Sequence, residues 1–92
     1  MTRGNNNRLA SVTVTPSALK ELVKLPRVIR ERIGKLFERL EDWPDVSGAK
    51  PPSGNPAGWF RLQAGKYRVR FRVQAENVIV DKIGRRSDFY ED

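Results

Sequence analysis

The sequence predicts a small α+β domain whose elements follow the order strand, helix, helix, strand, strand, strand. Two patterns predict this fold class. Between residues 29 and 40 the apolar residues recur at three- and four-residue steps, the period of an amphipathic helix. From residue 59 onward they recur at every second position, the period of a strand with one buried face. A loop rich in proline and glycine separates the two patterns, at residues 44–58.

The N-terminal part of the chain is predicted to be a tail followed by a strand. Residues 1–10 are mostly polar and rich in asparagine, so we expect a flexible tail there. The alternation of polar and apolar residues from Ser11 to Thr15 predicts a short strand. A single domain is therefore expected to occupy residues 11–92, a length that suits one hydrophobic core.

The first helix is predicted to begin at Pro16. Thr15 suits an N-cap, and proline is favoured at the first helical position that follows it. Pro26 disfavours helix in the residue before it, so the helix is expected to end near Leu25. The inward face of this helix is predicted to consist of Leu19, Leu22 and Val23.

The second helix is predicted to begin after Pro26 and to end by Trp43. Gly34 lies inside it, where glycine costs about 1 kcal/mol relative to alanine. We therefore expect Gly34 to mark a close approach between the two helices. The apolar stripe of this helix comprises Ile29, Ile33, Leu36, Phe37 and Leu40.

Three strands are predicted after residue 58, with turns at Ala64-Gly65 and at residues 75–77. The middle strand separates its residues onto two faces. Its apolar face comprises Tyr67, Val69, Phe71 and Val73, and its cationic face comprises Lys66, Arg68, Arg70 and Arg72. Two helices cover only one face of a sheet, so a mainly antiparallel sheet with a two-helix hairpin on one face is expected.

The charge of the chain indicates a polyanionic partner. There are 18 Lys and Arg residues against 11 Asp and Glu, which gives a net charge of +7. Such a domain attracts phosphate backbones at long range. A solvated face is the alternative explanation for charge that alternates along a strand. Like charges two residues apart repel, however, and strands do not favour lysine, so the pattern favours polyanion binding.

Histidine and cysteine are both absent from the chain. Their absence excludes disulfides, thiolate metal sites and imidazole as a general base. We therefore expect no metal and no cofactor. No apolar run approaches the roughly 20 residues that span a bilayer, and the first residues lack the apolar segment of a signal peptide. A cytoplasmic protein without membrane contact is expected.

Three segments resemble motifs of the RelE/ParE toxin superfamily. Residues 65–71, Gly-Lys-Tyr-Arg-Val-Arg-Phe, resemble its glycine-x-tyrosine-arginine hairpin. Residues 18–26 resemble its first helix and the break after it. Residues 83–90, Ile-Gly-Arg-Arg-Ser-Asp-Phe-Tyr, resemble its closing segment. In this order the three segments are fairly specific for the superfamily and less specific for a branch within it.

The resemblance implies a RelE-like microbial RNase fold and a toxin of a type II toxin–antitoxin system. RelE-like members cleave messenger RNA, typically in the ribosomal A site, and use the RNA 2′-hydroxyl as the nucleophile. ParE-like members share the fold and inhibit DNA gyrase instead. A degenerate RNA-binding member is a third possibility. Each implies an antitoxin, expected to be acidic and partly disordered, in a complex that can be a higher-order hetero-oligomer.

The resemblance also implies roles for individual residues. Arg61 and Arg68 would stabilise the phosphate, Arg86 would contact the leaving-group side, and Tyr90 would stack on a base or take part in proton transfer. Further RNA contacts are expected from the remaining cations near this face: Lys50, Lys66, Arg70, Arg72 and Arg85.

Structural roles are the alternative for the same residues. Arg61 and Arg68 could be solvated cations, and Arg86 could pair with Asp81 or Asp88. Tyr90 could cap the core. The chain also departs from the family pattern. Some relatives have a second lysine near the position of Gln63, and others a C-terminal histidine. Arginine is a poor general base because its pKa exceeds about 12, so the identity of the base stays open.

Overall fold

The computed structural model describes residues 10–46, 48 and 58–89. Strand β1 is followed by two helices and then by three further strands, as the sequence predicts. The element bounds are β1 Ser11–Val14, α1 Pro16–Val23, α2 Arg27–Leu40, β2 Trp59–Ala64, β3 Tyr67–Gln74 and β4 Asn77–Arg85, with a 3₁₀ turn at Arg86–Phe89. The predicted tail lies outside the described residues except for Ala10, whose N–H donates to the Glu41 carbonyl.

The four strands form one mixed sheet in the order β1-β4-β3-β2. Strand β1 is parallel to β4, and the pairs β2·β3 and β3·β4 are antiparallel. The prediction of a mainly antiparallel α+β sheet is therefore confirmed. The strand order places β3 and β4 in the interior of the sheet, where each has a neighbour on both sides.

Capping defines the start of α1. The Thr15 hydroxyl accepts a hydrogen bond of 3.2 Å from the Ala18 N–H, and Pro16 occupies the first helical turn. Thr15 thus satisfies one of the N–H groups that a helix start leaves without an intrahelical partner. The helix ends at Val23, two residues earlier than expected, and α2 begins directly after Pro26.

The core lies between the helices and one face of the sheet. Helix α2 contributes Ile33, Leu36 and Leu40, all of them buried. These side chains pack with the buried sheet residues Leu62, Val69, Phe71, Val78, Val80 and Ile83. At one end of the core the Trp43 ring meets Phe60 and Phe71 edge-on, with ring centroids 4.9 and 5.5 Å apart. The apolar stripe of α2 is therefore the helical half of the core.

The first helix buries less than the sequence suggested. Only Ala18 of α1 is fully buried, and Leu22 packs against the core as expected. Leu19 and Val23, which were predicted to point inward, are 48% and 61% exposed. The core contact of α1 therefore runs through Ala18 and Leu22, and the apolar side chains on either side of that line remain at the surface.

Two local predictions about glycine require correction. The turn between β2 and β3 is Gly65-Lys66 rather than Ala64-Gly65, because Ala64 still pairs with Tyr67. Gly65 has φ +62°, which glycine adopts without steric cost. Gly34 does not mark a close approach between helices, since a Cβ built on it meets no heavy atom within 4 Å.

These two glycines give opposite predictions for stability. Gly34→Ala should raise the free energy of unfolding by up to about 1 kcal/mol, because alanine loses less backbone entropy and meets no neighbour. Gly65→Ala should lower it by about 1–2 kcal/mol, because its backbone is left-handed. Urea unfolding of both variants measures the difference. A destabilising Gly34→Ala would contradict the open surroundings described for that position.

Candidate nucleic-acid interface

The face of the sheet that points away from the helices, here called the open face, carries most of the cations of the sheet. On β3 the residues that alternate with the buried Val69 and Phe71 lie on this face, and cross-strand pairing identifies their neighbours. The open face includes Trp59 and Arg61 from β2, Arg68, Arg70 and Arg72 from β3, and Ile79 and Lys82 from β4.

Three cations form a row across the middle of the open face. In the strand register Arg61 lies opposite Arg70, and Arg70 lies opposite Lys82, so the three residues lie side by side on β2, β3 and β4. Neighbouring strands are about 4.8 Å apart, so the whole row spans only about 10 Å at the backbone. Such a row creates a concentrated positive potential on the sheet face opposite the buried core.

An irregularity in β4 adds a carboxylate to this row. The register shifts between Arg70, which pairs with Lys82, and Phe71, which pairs with Val80. Asp81 is the additional residue, and it forms a two-pronged ion pair with Arg70. The Arg70 Nε lies 3.1 Å from Asp81 Oδ1, and its Nη2 lies 2.9 Å from Oδ2. This geometry fixes the plane of the Arg70 guanidinium group.

The Trp59 ring contacts two of the arginines. The Arg70 guanidinium carbon lies 4.7 Å from the ring centroid, and that of Arg72 lies 5.6 Å away. Both distances lie within the range of cation–π attraction. In the described part of the chain the Arg72 Nε is buried and makes no hydrogen bond. Trp59 and Asp81 therefore order two of the cations of β3, Arg70 by charge and aromatic contact and Arg72 by aromatic contact.

A second group of polar residues lies at the hairpin end of the sheet. Arg68 pairs with Gly84, and the Arg86 N–H donates to the Lys66 carbonyl over 2.9 Å. The Asp88 carboxylate folds back over Gly84, where a Cβ would lie 2.6 Å from Oδ2. The same oxygen accepts a hydrogen bond of 2.7 Å from the Arg85 N–H. Only glycine at position 84 leaves room for this arrangement.

A cleft of about 580 Å³ adjoins the open face near the start of α1. Its walls include both members of the Arg70–Asp81 pair together with hydroxyl groups from the start of the helix. The polar and charged residues that line it are Thr15, Ser17, Glu21, Arg70, Asp81, Lys82 and Asp88. The cleft is thus polar and carries charges of both signs, whereas the row Arg61–Arg70–Lys82 consists of cations alone.

The structure brings together part of the predicted site. Arg61 and Arg68 share the open face with Arg70 and Arg72, as the alternation predicts. Lys66 lies in the exposed turn and Arg86 in the exposed 3₁₀ turn beside it. The predicted residues Lys50 and Tyr90 lie outside the described residues.

Arg85 lies apart from the other predicted RNA contacts. It is the partner of Tyr67, a residue of the helix-facing side, and its guanidinium carbon lies 6.0 Å from the Tyr67 ring centroid. Asp81, considered as a partner for Arg86, pairs with Arg70 instead. Sequence reasoning did not identify Lys82 or Trp59 as site residues. Trp59 continues the alternation of β2, whereas Lys82 reaches the open face because Asp81 is an additional residue in β4.

The described residues hold no group of three or more acidic, histidine or cysteine side chains placed to bind a metal ion. No helix in that part of the chain is long and apolar enough to cross a membrane. Among the described residues, the open face and the cleft beside it carry cations, carboxylates and the aromatic ring of Trp59.

Comparison with known proteins identifies the family. Residues 12–90 match the family described as the ParE toxin of the type II toxin–antitoxin system parDE. The chain therefore belongs to the RelE/ParE toxins of type II toxin–antitoxin systems. No curated protein sequence matches the chain.

Solved structures of RelE toxins and of their complexes share the fold. The chain is similar to a chain of the toxin–antitoxin complex RelBE2 from Mycobacterium tuberculosis, with 29% identity over 86% of this chain and 93% of that chain and a TM-score of 0.71. The isolated E. coli RelE toxin is 30% identical to this chain, over 89% of this chain and 92% of that chain, with a TM-score of 0.67. A mutant of E. coli RelE in the free state has a TM-score of 0.74 and is 21% identical, over 88% of this chain and 87% of that chain. At this identity the similarity shows a common fold and nothing more.

The Arg70–Asp81 pair should couple more strongly than an exposed pair on α2. Its side chains are 25% and 21% exposed, whereas those of Arg27 and Glu31 are 83% and 63% exposed. Double-mutant cycles with alanine should give a coupling energy of about 1–3 kcal/mol for Arg70–Asp81 and of about 0.5 kcal/mol or less for Arg27–Glu31. Urea unfolding of the two sets of variants measures both values. Equal coupling energies would show that Asp81 does not hold Arg70 in place.

Proposed function

We propose that this toxin is an endoribonuclease that cleaves messenger RNA, dependent on the ribosome and acting in its A site. The observation that supports this proposal is the cationic row Arg61–Arg70–Lys82 on the sheet face opposite the buried core. A phosphate backbone is the ligand that such a row would attract. Cleavage on the ribosome would place the protein in the cytoplasm.

The proposed reaction suits a site built of cations. The RNA 2′-oxygen attacks the adjacent phosphorus, and the bond from phosphorus to the 5′-oxygen breaks. The 2′-hydroxyl loses its proton and the departing 5′-oxygen gains one, which leaves a 2′,3′-cyclic phosphate and a 5′-hydroxyl. The nucleophile belongs to the substrate, so no protein nucleophile, metal or cofactor is required. The protein would supply orientation and charge stabilisation.

Arg61 and Arg68 are proposed to stabilise the non-bridging phosphate oxygens, and Arg86 the leaving-group side. Arg61 lies in the central row, Arg68 lies opposite Gly84, and Arg86 follows the end of β4. Tyr90 is proposed to stack on a base or to move a proton. Contacts along the RNA are proposed for the other cations: Lys50, Lys66, Arg70, Arg72 and Arg85. Among these, Arg70 is already oriented by Asp81.

Inhibition of DNA gyrase is the second candidate function. The family match is to ParE toxins, which supports it. In that case the cations of the open face would contact a protein or DNA, and no phosphodiester bond would break. A third candidate, RNA binding without cleavage, would use the same cations as the nuclease but lack an effective proton acceptor.

A cognate antitoxin is the proposed regulatory partner. Structures of related toxins include complexes with antitoxins. On this chain the apolar side chains of Leu19, Val23 and Val28 are about half exposed or more. Exposed cations that neighbour them in the sequence are Lys20, Lys24, Arg27 and Arg30. An acidic, partly disordered segment with apolar anchors would complement this surface, and it could extend over the open face and displace the chain's end.

The nuclease proposal is tested on messenger RNA engaged on translating ribosomes, with cuts mapped by primer extension. The wild-type protein should cut. Arg61→Ala, Arg68→Ala and Arg86→Ala should each slow cutting about 10²- to 10³-fold, as expected when a preorganised stabilising group is removed. Arg27→Ala is the matched control, because Arg27 is an exposed cation of α2 and its loss should leave the rate unchanged.

Circular dichroism must show that each of these variants is folded. If the folded wild type binds ribosomes and makes no cuts, the protein binds RNA without cleaving it. If it neither cuts nor binds ribosomes, gyrase supercoiling in its presence becomes the decisive assay, and inhibition there would replace the nuclease proposal.

The antitoxin proposal predicts a specific loss of binding. Val23→Glu should weaken the complex with the cognate antitoxin at least about tenfold, because a carboxylate would be buried against an acidic partner. Glu38→Ala, on the exposed part of α2, should leave the affinity unchanged. Calorimetric titration of the purified toxin measures both. Unchanged affinity for Val23→Glu would place the antitoxin on another surface.

A further inference from the structure

We infer that Trp59 is a base-stacking residue of the open face, which holds an unpaired nucleobase next to the phosphate site. This inference rests on the proposed RNA substrate and adds a position where a base, rather than a phosphate, is bound. It assigns to the protein a contact that tolerates any base, since every base has an aromatic face.

The position of Trp59 carries the inference. It is the first residue of β2, the edge strand of the sheet, and it follows Gly58, which is exposed. Its side chain is only partly buried and lies on the same face as Arg61. One residue lies between them, and a step of two residues along an extended strand is about 7 Å. A nucleotide whose phosphate lies at Arg61 can therefore reach Trp59 with a neighbouring base.

The two arginines beside Trp59 distinguish this ring from an aromatic residue of the core. Trp43 packs against Phe60 and Phe71, whereas Trp59 contacts the guanidinium groups of Arg70 and Arg72. An aromatic ring between backbone-binding cations is the arrangement that single-stranded nucleic acid requires, with stacking for the bases and charge for the phosphates. Core packing alone does not require cations at the ring.

Asp81 has a positioning role in the same arrangement. It binds Arg70 through both carboxylate oxygens, and Arg70 lies against Trp59. The order of contacts is therefore carboxylate, guanidinium, indole. Because the guanidinium plane is fixed from one side by Asp81, the indole that rests on it is restricted in turn. A ring that is already ordered loses less entropy when a base stacks on it.

The test compares two short single-stranded oligonucleotides with methylated 2′-hydroxyls, which cannot be cleaved. One carries bases at every position, and the other has the same backbone without bases. The wild-type protein should bind the first about 5- to 100-fold more tightly, as one stacked base contributes. In Trp59→Ala this preference should fall at least about fivefold, the share of one stacked base, and in Trp59→Phe the fall should be smaller. Arg61→Ala should instead weaken the binding of both and reduce the salt dependence.

Tryptophan fluorescence gives an independent measurement. Binding of the base-bearing oligonucleotide should quench the wild-type emission, because a stacked base contacts Trp59. The signal that remains in Trp59→Phe comes from Trp43 in the core and should not change on binding. Quenching that survives in Trp59→Phe would overturn the inference.

The possible failures are distinguishable. Equal affinity for the two oligonucleotides, or a preference in Trp59→Ala that is unchanged from the wild type, would remove the stacking role of Trp59 and leave RNA binding intact. Binding of neither oligonucleotide by the folded protein would also overturn the inference. The ribosomal cleavage assay then decides separately whether the nuclease proposal stands.

Discussion

The packing of α2 against β3 is the constraint on which the open face depends. Leu36 and Leu40 of the helix share a core with Val69 and Phe71 of the strand. Because side chains alternate along a strand, burying these two residues forces Arg68 and Arg70 to the opposite side. A slip of one residue would bury guanidinium groups against the helix, at a cost of several kcal/mol each. The position of the cations is therefore a by-product of the core.

A row of like charges works against the sheet that carries it, and two features offset this repulsion. The irregularity in β4 brings the Asp81 carboxylate to Arg70, and Trp59 lies against two of the guanidinium groups. Neither feature neutralises the face. Arg61 and Lys82 remain on either side of Arg70, so a positive potential persists where a phosphate would bind.

The sequence predicted the order of elements and the two faces of β3 because both follow from simple periods. It also predicted the Thr15 cap, which depends only on local backbone geometry. The end of α1 and the turn at Gly65 differ from the prediction by one or two residues, whereas the larger differences depend on long-range pairing. Whether Leu19 is buried depends on the rotation of α1 against the sheet, and the Arg70–Asp81 pair depends on one additional residue in β4. The composition of α1 or of β4 does not determine either property.

The alternation of β3 has a consequence for how this molecule changes over generations. A substitution at Arg68 or Arg72 alters the charge of one face and leaves Val69 and Phe71 in place. Selection for binding to the target and selection for a stable fold thus act on separate positions of β3. If the open face is the toxic surface proposed above, single substitutions there can alter toxicity and leave the core residues Val69 and Phe71 unchanged. One scaffold can in that way serve either of the two activities proposed for this toxin.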